Sequence, residues 1–338
     1  MVEPGPSAAT AVRANEQSAE RLAELRITRF AAPRATPRDE VPWQLVEKNG
    51  AIELHVVRLM EESLADPLNA AILLACGGVL ENLRLAVNGA GFVGDITFFP
   101  DPANDDLLAT LRIGEAREAG HEEHALFSVL ERSLQSGPLG VAPSVSELSG
   151  AGRLAPAQLA VFHHAARSRG CWIDLITDDV RRSMLAEMVA RATTLTDAAM
   201  GSRPLFSLFT SEPLGALPLI ERDPFGLDHL FSLLGANVRT GPPRHRMQKV
   251  WPGGAVVEAP LLAILGSADD TPKDWMFAGA AIQRVLLHAT IQNLAATFFA
   301  EPLRHPLVRD QLRLMLFAAG QPHAVMRFEE AVPIAPPA

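Results

Sequence analysis

Residues 77–92 read GGVLENLRLAVNGAGF, and residues 279–294 read GAAIQRVLLHATIQNL. Set side by side at an offset of 202 residues (279 − 77), Gly77 meets Gly279, Leu80 meets Ile282, Glu81 meets Gln283, Leu83 meets Val285, Leu85 meets Leu287 and Phe92 meets Leu294. Gly91 meets Asn293, the two residue types that most readily close a helix in the left-handed conformation. A strand-like run follows each copy, Val93 to Phe99 and Ala295 to Phe299. The period is too long for a solenoid of short repeats. The pattern therefore predicts two fused copies of one subunit, so that a single chain imitates a homodimer.

Outward from these helices, strand and helix signals alternate. Ser18 to Phe30 has helical spacing of Leu22, Leu25 and Phe30, and the prolines of 31–41 end it. Strands are expected at 52–57, 93–99, 107–113, 171–176, 256–264, 295–299 and 324–328. Helices are expected from Asp66-Pro67 through the first long apolar stretch, at 122–135, 157–168, 177–194 and 307–317, and from Asp270-Thr271-Pro272 through the second. Such alternation is a mixed α and β class. The organisation read from the chain is a disordered tail at 1–17, a first half at 18–150, a second half at 151–330 and a C-terminal tail at 331–338. Residues 200–256 are rich in Pro, Gly and Phe and read as an irregular, lid-like segment.

The bulk composition excludes several classes. A net charge of −9 leaves no electrostatic footprint for nucleic acid. Two cysteines, Cys76 and Cys171, make no disulfide framework and suit a reducing compartment. The N-terminal residues lack the apolar run of a signal peptide. Glu81, Asn82 and Arg84 interrupt the most apolar stretch, 70–87, which makes it a buried helix rather than a membrane span. The expected location is a bacterial cytoplasm. His121 and His124 share a helix face but have no third ligand in view, so no metal site is expected. There is no Gly-rich phosphate loop and no nucleophile elbow.

Several segments resemble the Acg-type branch of the nitroreductase-like flavoproteins. They are CGGVLENLRLAVNGAGF at 76–92, PLLAIL at 260–265, DTPKDWMFAGAAIQRVLLHAT at 270–290, EPLRHPLVRDQLRLML at 301–316 and QPHAVMRF at 321–328, with Pro42-Trp43 upstream. The resemblance implies an α+β, nitroreductase-like fold: a mixed β-sheet flanked by helices, present as two fused pseudo-repeats. It also implies FMN at the junction of the halves, and an oxidoreductase passing hydride from NAD(P)H through the flavin to a small organic acceptor. The positions it points to for the cofactor are Arg34, Arg38, Trp43, Arg132, Thr297, Phe298 and Arg327; no catalytic acid or base is indicated. Read from the residues alone, Arg34 and Arg38 also suit a solvated surface, Trp43 core packing, Arg132 and Arg327 structural ion pairs, and Thr297 and Phe298 a buried strand.

The chain departs from the family pattern at four places. The run before Trp43, Pro37-Arg38-Asp39-Glu40-Val41-Pro42, lacks the Ser, Asn and Gln of relatives. Arg132-Ser133-Leu134-Gln135-Ser136 keeps one Arg of an Arg-rich run. Asn69-Ala70 replaces Gly-Arg, and Glu329 replaces the Gly after the final-strand Arg. An FMN phosphate deprived of Arg and Ser donors loses its strongest charge-assisted bonds. Two alternatives follow: a non-catalytic relative that binds or sequesters flavin or another ligand, and a flavin-independent enzyme on the same scaffold. Fusion of the halves makes the dimer interface internal, so a monomer or weak dimer is expected.

Overall fold

A computed structural model describes residues 18, 20–21, 24–35, 39, 41–57, 70–136, 154–201, 227–238, 261–299, 301–316 and 320–331. The first half holds β1 (Trp43–Lys48), β2 (Ala51–Val56), α1 (Ala70–Gly89), β3 (Phe92–Phe98), β4 (Leu107–Ala116) and α2 (His121–Ser136). The second holds α3 (Pro156–Arg167), β5 (Trp172–Ile176), α4 (Asp179–Gly201), α5 (Leu227–Leu233), β6 (Leu261–Ser267), α6 (Pro272–Ile291), β7 (Leu294–Phe298), α7 (Glu301–Arg304), α8 (Pro306–Leu316) and β8 (Gln321–Glu330). The expected disordered tail at 1–17, the start of the first long helix at Asp66-Pro67, the C-terminal tail from 332 and most of the 137–155 and 200–256 segments lie outside the described residues.

The architecture repeats. The first sheet has the order β1-β2-β4-β3 and the second β5-β6-β8-β7, and each inserts its long helix between the second and third strands. Both sheets carry a register shift in the same place, between Leu54 and His55 in β2 and between Leu265 and Gly266 in β6. The fold is α+β with helices packed on sheets. Among the described residues each repeat contributes one four-stranded sheet with antiparallel ladders, and a parallel bridge, Val238 to Ala296, adds to the edge of the second.

Local chemistry accounts for the long helices. Thr271 caps α6: its hydroxyl accepts from the Asp274 N–H, the Asp274 carboxylate accepts from the Thr271 N–H, and Pro272 takes the first turn. Gly91 (φ 88°) and Asn293 (φ 57°) turn the chain out of α1 and α6 into the following strands. Helical geometry at 18, 20–21 and 24–25 gives way to a 3-10 turn at Ile27–Phe30, preceded by Arg26 at φ 45°. One apolar core runs through both halves, with α1 and α6 at its centre. A second, smaller core lies on the outer face of the second sheet, under α4 and α8. By length and composition α1 could cross a bilayer, but 72% of its most apolar window is buried in the fold.

Candidate functional site

The two long helices cross where the sequence repeats. A Cβ on Gly77 would lie 2.0 Å from the Met276 carbonyl oxygen, and one on Gly279 1.8 Å from the Leu74 carbonyl oxygen. Met276 stands 202 residues after Leu74, so the two contacts are counterparts under the repeat. Reciprocity of this kind marks a two-fold interface, here inside one chain.

One turn further on, the same reciprocity holds for polar pairs, with different chemistry in each. Glu81 meets Arg284 at 3.0 Å, and the counterpart pair is Gln283 Nε2 donating to Asn82 Oδ1 at 2.8 Å. On the ionic side, Glu81 also accepts from Arg169 Nε and Nη2 at 2.7 and 2.8 Å, and pairs with Arg84. Burial alone would raise the Glu81 carboxyl pKa; Arg84, Arg169 and Arg284 overcome it and hold the group well below the usual carboxylate range. Arg284 continues to Glu122 on α2 at 2.8 Å, and His288 reaches the same carboxylate at 2.8 Å. Burial lowers the His288 pKa, with Glu122 opposing.

On the amide side, Asn82 Nδ2 and Gln283 Nε2 both donate to the Leu234 carbonyl at 2.9 Å. Its neighbours are taken as well: Leu233 O by the Arg34 N–H at 3.1 Å, Gly235 O by Ser133 Oγ at 2.7 Å, and Ala236 O by Arg34 Nη1 at 2.6 Å. Four successive carbonyls at the end of α5 are thus fixed on the helix junction, with Gly235 at φ 94° allowing the turn. Asp228 accepts from the Phe298 N–H at 3.1 Å, and Phe231 packs on Phe298 with ring centroids 5.4 Å apart. Part of the expected irregular segment is therefore a helix docked between the halves.

The structure brings only some of the expected cofactor residues together. Arg34 and Phe298 both touch the docked 227–238 segment. Arg34 is buried, and desolvation lowers its pKa to about 10. Thr297 and Arg327 are cross-strand partners on β7 and β8. They alternate with Phe298 and Phe328, which belong to the central core, so they face the opposite side of the sheet. There Arg327 is buried and pairs with Glu329 at 2.7 Å. Trp43 is buried in β1, Arg132 is on the exposed side of α2, and Arg38 lies outside the described residues.

Among the described residues, Arg34 and Arg327 do not fit an FMN phosphate. The phosphate requires converging donors, whereas Arg34 is engaged by a carbonyl and Arg327 by the carboxylate that replaces a family glycine. Arg34 precedes β1 and meets the 227–238 segment, and Arg327 projects from β8 away from the central core.

A cavity of about 450 Å³ opens between the halves. Val56, Leu73, Phe99 and Leu108 supply apolar walls from the first half; Asp101 and Asp105 stand exposed at its edge, opposite Thr271 and Lys273 of the second half. The matching place in the second half is filled. Trp275, 202 residues after Leu73, donates from Nε1 to Asp270 at 2.6 Å; Arg309 reaches the same carboxylate at 2.9 Å, and His323 meets Ser267 at 2.6 Å. Burial pushes the His323 pKa down to about 4. Ser267, His323 and Asp270 are the residue types of a hydrolytic triad, but the Ser267 hydroxyl donates to the Asp269 carbonyl at 2.7 Å. His323 Nε2 must then donate to the serine and cannot take its proton. Cys76 and Cys171 are buried thiols; burial raises both pKa values, that of Cys171 to about 12. Among the described residues no group of three or more His, Cys, Asp or Glu is placed to hold a metal ion.

No protein-family model matches the chain. It is 23% identical over 309 residues to an uncharacterized protein of Mycobacterium tuberculosis, covering 87% of this chain and 83% of that protein. It is 24% identical over 298 residues to a protein of the same organism provisionally named NAD(P)H nitroreductase Acg, covering 85% of this chain and 82% of that protein. These similarities support a nitroreductase-like α+β protein and a distant link to oxidoreductases.

Proposed function

We propose that this chain is a nitroreductase-like protein that handles a small organic molecule between its two halves without a resident flavin. The carrying observation is the fate of the two best-placed arginines. Arg34 Nη1 is bonded to the Ala236 carbonyl at 2.6 Å and Arg327 to Glu329 at 2.7 Å, so these two expected phosphate donors are engaged within the protein. The repeated architecture fits descent from a duplicated subunit, and we propose a monomer, because the interface a homodimer would use is internal. Light scattering that gives one chain mass at micromolar concentration supports this, and a salt-resistant dimer refutes it.

The second reading is the FMN-dependent oxidoreductase, with NAD(P)H as donor; the 24% identity to a named nitroreductase favours it. A visible absorbance spectrum before and after incubation with FMN and desalting separates the readings. A colourless protein supports the flavin-free one. A retained flavin band that NADPH bleaches establishes the oxidoreductase, and a band that NADPH leaves unchanged indicates a flavin-holding relative.

A further inference from the structure

We propose that the cavity beside Leu73 is a binding site for one small, largely apolar molecule that carries no phosphate, carboxylate or other anionic group. The proposal deepens the flavin-free reading and rests on it for the absence of phosphate in the ligand. The first argument is the inequivalence of the halves. Where Leu73 leaves space, its repeat partner Trp275 and the bonded group Asp270, Arg309, Ser267 and His323 fill the corresponding place. The chain between β3 and β4 is a short turn over 99–106, whereas the chain between β7 and β8 carries α8, which supplies Arg309. A single site per chain follows, although the fold is doubled.

The second argument is the size and lining. About 450 Å³ with apolar walls is within the range of sites that hold drug-sized molecules.

The third argument is charge. The cavity edge carries two carboxylates, Asp101 and Asp105, against one ammonium. That ammonium, Lys273 Nζ, lies over the Phe277 ring at 5.5 Å from its centroid. The nearby N-terminus of α6 would ordinarily attract an anion, but the Asp274 carboxylate is already bonded to the Thr271 N–H, which neutralises that end. Among the described residues the lining carries net negative charge, which disfavours phosphates and carboxylates.

The test uses two dyes with the same aromatic body, uncharged N-phenyl-1-naphthylamine and its sulfonated counterpart 1-anilinonaphthalene-8-sulfonate. Binding is followed by fluorescence titration on full-length protein whose absorbance spectrum has first been recorded. The expected result is saturable binding of the neutral dye at one per chain and at least tenfold weaker binding of the sulfonate. Leu73→Trp, which copies the other half, weakens the neutral dye at least tenfold. Ile72→Trp, on the same wall, does the same should Leu73→Trp fail to fold. Asp101→Asn with Asp105→Asn narrows the gap between the dyes severalfold. Equal affinity for the two dyes, two sites per chain, no saturable binding of the neutral dye, or unchanged binding in both folded tryptophan variants overturns the proposal. A flavin band in the initial spectrum sinks the flavin-free reading separately, since dye stoichiometry and the tryptophan variants still report on the cavity.

Discussion

Gly77 and Gly279 meet the backbone of the opposite long helix at reciprocal points, each so close that a methyl group would come within 2.0 Å of a carbonyl oxygen. Backbone cannot yield as a side-chain tip does. Gly279→Ala, or Gly77→Ala, is therefore expected to force α1 and α6 apart and to destabilise the protein by about 3 kcal/mol or more, in the upper range for overpacking. Urea unfolding measures this; a variant within about 0.5 kcal/mol of the parent would contradict the crossing geometry.

Glu81 is bonded to Arg84, Arg169 and Arg284 together. Glu81→Gln copies the residue at the repeat position, Gln283, yet takes a counter-charge from three arginines and leaves Arg284 with Glu122 alone. Removing one partner of a buried ion pair costs about 3–5 kcal/mol, and that loss is expected here. Adding Arg284→Asn, which copies Asn82, should recover part of it. A double-mutant cycle checks this, and additive losses would mean that Glu81 and Arg284 are not coupled.

Arg34→Ala separates a structural role from a cofactor role. It removes the charged donor from the buried Ala236 carbonyl, which keeps the Val238 N–H at 3.0 Å, a loss of about 1–3 kcal/mol. Denaturation of protein freed of any flavin should show this loss directly. A variant with parental stability but weakened FMN binding would instead make Arg34 a phosphate ligand.

His323 sets an acid limit on stability. Its folded pKa, about 4, lies below the ordinary value of 6.5, so the unfolded chain takes up a proton that the fold refuses. The contribution is fully present above about pH 6.5 and is lost as the pH falls towards 4, on the order of 3 kcal/mol in all. His288, also lowered by burial, adds a slope of the same sign. Thermal melts of the parent and of His323→Asn between pH 7 and pH 4 test this. The variant should show the flatter dependence, and parallel curves would remove His323 from the account.

Much of the secondary structure was legible in the chain because its signals are local. Thr271, Pro272 and Asp274 announce the start of α6, and Gly91 and Asn293 the ends of the long helices. The strand Trp43–Lys48 was not read, although its signal was present. Asn49-Gly50, with φ of 52° and 68°, is the tight turn joining β1 to β2, and such a pair between extended runs is a strong hairpin mark. The polar junction was half legible. Glu81, Asn82 and Arg84 stand out in an apolar helix, but nothing local says that the partners of Glu81 are 88 and 203 residues away.

The two long helices, their correspondence at an offset of 202 and the α+β character follow from the chain alone, since periodicity, capping and helix-closing residues act over a few positions. What the charged groups do follows instead from the packing of distant elements. Arg34 could have served a phosphate or a carbonyl, and Arg327 a cofactor or a carboxylate. The outcome depends on where each guanidinium starts, Arg34 in the turn before β1 and Arg327 on β8, and on which distant segment arrives there. A long, flexible, always-charged side chain takes whichever partner the packing of remote elements brings within reach. The same holds for Leu73 and Trp275: the repeat makes them equivalent in sequence, and the short β3–β4 turn against the inserted α8 leaves one beside a cavity and the other inside a bonded cluster.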